Sequence, residues 1–127
     1  MNTNTNPTAA SAFSPRVNPC YGSDPNVATL NVLADDERSY QLPYAQFLYA
    51  EMTPNPAVER DANAPPEKLL ISFAVAKVIV LGRGLKSLER TLQKYELEFV
   101  KSADRRYTAG FNTDVAAVSI SFTEEIP

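Results

Sequence analysis

Apolar and polar residues alternate along much of this chain with the two-residue period of half-buried strands. In NVATLNVLA (26–34), Ala28, Leu30, Val32 and Ala34 share one face. That pattern predicts a strand with one side against a core. The acidic run Asp35-Asp36-Glu37 predicts a turn, and RSYQLPY (38–44) predicts a returning strand with Tyr40, Leu42 and Tyr44 on one side. Pro43 marks its end or an edge position. QFLYAEM (46–52) is a third apolar segment, in which Phe47 and Tyr49 favour a strand over a short helical turn.

The apolar centre is KLLISFAVAKVIVLGR (68–83). Strands commonly run to about five or six residues, so this stretch predicts two strands in a hairpin, divided near Ala76–Lys77. The turn lacks the expected Gly or Asn, which leaves one long bent strand as the alternative. Periodicity then changes. Leu85, Leu88, Leu92 and Tyr95 fall at helical spacing, predicting one helix over about 85–95 with an apolar face. LEFVK (97–101) resumes a strand, ADRRYTAGFNTD (103–114) is a loop, and VAAVSISF (115–122) is a last strand.

The order β-β-β-loop-β-β-α-β-β favours antiparallel pairing through short hairpins. The expected fold is α+β and mostly β: a curved antiparallel sheet or incomplete barrel covered by the single helix. Residues 1–26, rich in Asn, Thr, Ser and Pro, are expected to be a flexible tail ahead of a single domain over 27–123. Within that domain TPNPAVERDANAPPE (53–67), with four prolines, is expected to be a mobile loop.

Composition narrows the chemistry. The chain has 127 residues, enough for one domain. It has no histidine, which removes Ser-His-Asp and Cys-His catalysis and the usual zinc and iron sites. Its single cysteine, Cys20, allows no internal disulfide and has no visible activating environment. Asp35-Asp36-Glu37 is an apparent acid/base cluster, but adjacent residues on a turn point apart and stay hydrated. The complement leans away from an enzyme and calls for no cofactor and no metal. The N-terminus lacks the basic and apolar regions of a secretory signal, and no apolar run approaches the roughly 20 residues of a membrane helix. No membrane partner and a cytoplasmic location are therefore expected.

One motif invites a sharper reading. In VIVLGRGLKSLERTLQKYE (78–96) a strand runs through Gly82-Arg83-Gly84 into a helix, the arrangement in which many proteins hold phosphate. Ser87 stands where a dinucleotide fingerprint needs its third glycine, and the Walker spacing is absent. The glycines therefore read chiefly as a bend. Charge adds a second feature. Residues 68–106 hold nine Lys/Arg and four acids, a net +5, while residues 1–67 hold three bases and eight acids, a net −5. The whole chain carries −3, which argues against a general nucleic-acid coat. Arg83, Lys86, Arg90, Lys94, Arg105 and Arg106 are the candidate anion- or partner-binding residues, with Lys86, Arg90 and Lys94 repeating every four residues along the helix.

The order LPYAQFLYAE (42–51), VLGRGLKSLERTL (80–92) and FVKSADRRY (99–107) resembles the LytTR-type DNA-binding domain of bacterial regulators, where strands lead into a short Leu-spaced helix and then a basic segment. The resemblance covers about half of the chain and implies nucleic acid as a partner. The chain departs from it in lacking a histidine in the basic segment and in carrying the proline-rich loop. Two functions follow. One is a small non-catalytic interaction or accessory module whose acidic and basic halves suit a protein partner or a homo-oligomer. The other is an anion or nucleic-acid binder through the basic helix face.

Overall fold

The computed structural model describes residues 17–123. Among the described residues eight strands, two 3-10 turns and two helices follow one another: β1 (Tyr21–Ser23), β2 (Thr29–Leu33), β3 (Ser39–Pro43), β4 (Phe47–Pro54), β5 (Glu67–Phe73), β6 (Ala76–Arg83), α1 (Lys86–Gln93), β7 (Leu97–Lys101), α2 (Arg105–Thr108) and β8 (Asp114–Phe122). The 3-10 turns span Tyr44–Gln46 and Pro56–Glu59. The fold is α+β and mostly β, as the alternation predicts.

The strands divide into two sheets that do not close into a barrel, with orders β1-β7-β2-β3 and β4-β5-β6-β8. The second sheet is an antiparallel meander. In the first, β7 returns beside β2 in parallel register, Asn31 opposite Phe99, so the arrangement is mixed rather than wholly antiparallel. The 68–83 stretch does fold into a hairpin, but the corner is Ala74–Val75, just ahead of the expected division. The corner is fastened from outside: Ala74 N–H donates to the Gln46 carbonyl, and Thr123 N–H to the Val75 carbonyl.

The alternating faces meet in one core. Leu30, Val32, Leu42 and Val100 from the first sheet, and Leu69, Ile71, Phe73, Val78, Val80 and Val118 from the second, are buried together with Leu85, Leu88 and Leu92. Burial of side chains of this size stabilises by about 1.5–3 kcal/mol each. Tyr95 leaves the expected helical face. It follows α1 at φ 60, in the left-handed region, and is 54% exposed. Its N–H donates to the Leu92 carbonyl while Glu96 N–H donates to the Thr91 carbonyl, closing the helix as a Schellman motif. The Tyr95 ring stacks on Tyr44 at 5.4 Å and meets Phe47 edge-on at 5.8 Å, which holds a bulky residue where glycine is usual.

Two segments expected to be flexible make specific contacts within the described residues. Cys20 is fully buried and Tyr21–Ser23 pairs antiparallel with β7, so the chain enters the core several residues before position 27. Cys20 supplies the apolar volume that anchors it, and Val115 N–H donates to its Sγ at 3.4 Å. The rest of the expected tail, 1–16, lies outside the described residues. The proline-rich stretch also has internal order. Asn55 is buried, donates from Nδ2 to the Pro65 carbonyl at 2.7 Å, and accepts from Ala57 N–H at 3.2 Å. Asn55 N–H donates to the Pro66 carbonyl. These bonds satisfy backbone groups at the neck where β4 hands over to β5.

Candidate functional site

The glycine corner sits at the end of β6, where the second sheet gives way to α1. Gly82 and Gly84 are required there by close approach. A Cβ on Gly82 would overlap the Asp114 carbonyl oxygen, and one on Gly84, at φ 64, would overlap the Asn112 carbonyl oxygen. Thr113 Oγ1 donates to the Gly84 carbonyl at 2.6 Å, pinning the same segment. The glycines let the 112–114 backbone lie against the corner. Leu85 N–H, at the start of the helix, donates at 2.9 Å to Glu67 Oε1 from the first residue of β5. An internal carboxylate thus takes the position where a bound phosphate would sit. Sequence reasoning missed it because Glu67 lies eighteen residues upstream and reaches the helix only through the β5–β6 pairing.

The six candidate cations fall into three groups. Lys86 and Arg90 project from the exposed side of α1, and Lys94 follows at its end, also exposed. None of the three has an ion-pair partner among the described residues. Arg106 pairs with Asp104 at 3.7 Å and lies 5.1 Å from the centre of the Tyr107 ring. Arg83 and Arg105 come together around Asp114, lining a cavity of about 170 Å³ with Thr108, Gly110 and Phe111. Asp114 and Thr108 were not singled out by sequence. A lone Asp at the end of a polar loop carries no pattern until the fold places it.

The acidic turn also gains a role. Asp35 Oδ1 accepts from Ser102 Oγ at 2.8 Å, Oδ2 accepts from Val118 N–H at 3.2 Å, and Asp35 N–H donates to the Val118 carbonyl at 2.9 Å. Asp35 thereby fastens the β2–β3 turn across the middle of β8, an edge strand with no charge from Val115 to Phe122. Such an edge would otherwise be open to pairing. Asp36 behaves as an exposed turn residue. Two N–H groups of the Arg38 guanidinium donate to its Oδ2 and hold its carboxyl below the usual range.

The opposite edge of the second sheet differs. β4 has eight residues, no strand beyond it among the described residues, and Glu51 as its one charge. Leu48, the extra residue at a register shift, is 61% exposed and Tyr49 is 48% exposed. A cavity of about 430 Å³ lies on the first sheet, lined by Phe99, Asn31, Gln41 and Lys101 among others. Among the described residues no three His, Cys, Asp or Glu side chains gather to hold a metal ion, and no helix is long and apolar enough to cross a membrane.

The two charge segments do not form separate lobes. β7, from the basic segment, lies between β1 and β2, and β4, from the acidic segment, borders β5. No protein-family model, no curated protein and no solved structure matches the chain.

Proposed function

We propose that this chain is a non-catalytic interaction module that self-associates through the outer edge of β4. The observation behind this reading is the contrast between the two long edges of the second sheet: β8 is crossed by Asp35, whereas β4 lies open and carries two exposed apolar side chains. An extended edge is self-complementary. Two copies related by a two-fold axis can pair antiparallel, each supplying the N–H and C=O groups that the other lacks. With the charge segments interleaved in space, strand pairing is a better basis for association than attraction between an acidic and a basic half. Light scattering on the size-fractionated protein tests it. A dimer is expected that becomes monomeric in the Leu48→Asp/Tyr49→Lys variant, whose side chains are exposed in the monomer. A wild-type monomer at the highest attainable concentration overturns the reading.

The second reading is anion or nucleic-acid binding through Lys86, Arg90 and Lys94, with Arg83, Arg105 and Arg106 nearby in sequence. The exposed, unpaired state of the first three favours it. Binding to DNA or RNA should be salt-sensitive and should fall in Arg90→Glu/Lys94→Glu. Absence of binding at low salt rules it out.

A further inference from the structure

The surroundings of Asp114 point to a small-ligand site independent of the β4 edge. Asp114 opens β8 and is only 8% exposed. Its Oδ1 accepts a hydrogen bond from Thr108 Oγ1 at 3.1 Å. Its Oδ2 pairs with Arg105 Nε at 3.6 Å, a charge contact longer than a hydrogen bond. Oδ2 therefore has a charge partner but no close hydrogen-bond donor among the described residues, which leaves it room for one.

Arg83 is a second cation beside this carboxylate. It is the Cα partner of Asp114 across β6 and β8, and partners on an antiparallel pair project to the same face. Yet no Arg83 nitrogen comes within ion-pairing distance of the carboxylate. Instead Arg83, Arg105 and Asp114 share the walls of the 170 Å³ cavity and of a second one of about 60 Å³. Asp114 pairs with Arg105, which leaves Arg83 on the same wall without an ion-pair partner among the described residues. A simple anion entering it would meet the Asp114 charge, and a simple cation would meet two guanidinium groups. A ligand carrying both charges on neighbouring atoms satisfies both walls.

We propose that the Arg83–Asp114–Arg105 cavity binds a small free α-amino acid as its zwitterion. The α-ammonium group donates to Asp114 Oδ2, and the α-carboxylate accepts from the Arg83 guanidinium, whose fork suits two parallel hydrogen bonds. The ligand's side chain lies toward Phe111, and the absence of a side chain at Gly110 leaves the wall low. The volume is below the roughly 300–1,000 Å³ of drug-sized pockets, which restricts the ligand to the smaller amino acids.

The test is an NMR titration of the full chain with L-alanine, followed at backbone amides. Saturable shifts at Gly110 and Phe111 are expected in the millimolar range. Arg83→Gln changes an exposed residue and should weaken binding at least tenfold while leaving the spectrum folded. Asp114→Asn should weaken it similarly; if that variant unfolds, Arg83→Gln carries the test alone. Acetate and methylammonium, each presenting one charge, should bind more weakly than alanine. Glycylglycine, which separates the two charges, should also bind more weakly. No saturable shift up to about 50 mM alanine overturns the proposal. So does acetate or glycylglycine binding as tightly as alanine, because either result removes the need for paired charges.

Discussion

Removing the Glu67 carboxylate should uncover a buried helix-start donor and destabilise the protein measurably. Leu85 is fully buried and its N–H has Glu67 Oε1 as acceptor at 2.9 Å. In Glu67→Ala that donor is left in a dry setting, a loss of about 1–3 kcal/mol. The favourable placement of a negative charge at a helix start, about 0.3–1 kcal/mol, disappears as well. Glu67 is half-buried, so solvent replaces part of what is lost. A net change of about 2 kcal/mol follows from these ranges. For a domain of this size that is a fall in Tm of roughly 8 °C, at ~4 °C per kcal/mol. Glu67→Gln keeps an acceptor and loses only the charge, so its change should stay near the helix-dipole figure of about 0.3–1 kcal/mol. Urea and thermal unfolding followed by circular dichroism measure both variants, with Glu59→Ala as a control at an exposed carboxylate. If Glu67→Ala unfolds at the same midpoint as the control, the carboxylate does not cap the helix and the account of the glycine corner fails.

Three further outcomes follow. Asp35 is exposed, so Asp35→Ala should cost only about 0.5–1.5 kcal/mol but, by unfastening β8, should raise aggregation on concentration; unchanged light scattering and unchanged stability would contradict the edge-closing role. Tyr44 donates from its hydroxyl to the Leu97 carbonyl at 2.8 Å, and burial raises its pKa above the ordinary value of 10.0. The folded state holds that proton more tightly, so the stabilisation is intact below about pH 10 and declines as pH rises past it. Tyr44→Phe should be less stable than wild type at pH 7 but show a flatter loss above pH 10, and equal alkaline slopes would contradict this. Burial likewise raises the Cys20 thiol, so a thiol reagent should label it only on unfolding and at a rate that follows denaturant; rapid labelling of the native protein would place Cys20 at the surface.

How much of this was legible beforehand differs from element to element. The alternation of Leu30, Val32 and Leu42, and the spacing of Leu85, Leu88 and Leu92, reflect periods fixed by local backbone geometry, so they identify strand, strand and helix without a fold. Cys20 and Tyr21–Ser23 were hidden because a three-residue strand has too few positions to show a period, and its place depends on β7. The candidate cations and the Lys86–Arg90–Lys94 repeat were visible in the sequence, but the meeting of Arg83 and Arg105 was not. Arg83 and Arg105 meet at Asp114 because β6 and β8 pair, whereas Lys86, Arg90 and Lys94 stay on one helix face.

The sequence by itself determined the α+β class, the order of the main elements, the apolar faces and the absence of histidine chemistry, because each is written in local spacing or in composition. The tertiary structure decided that the strands form two sheets, that Glu67 rather than an external anion meets the helix start, that Asp35 closes one edge while β4 stays open, and that Asp114 faces a small cavity between two arginines. Those features come from contacts between residues tens of positions apart, and the energy that selects such partners exists only once the backbone pairing has brought them together.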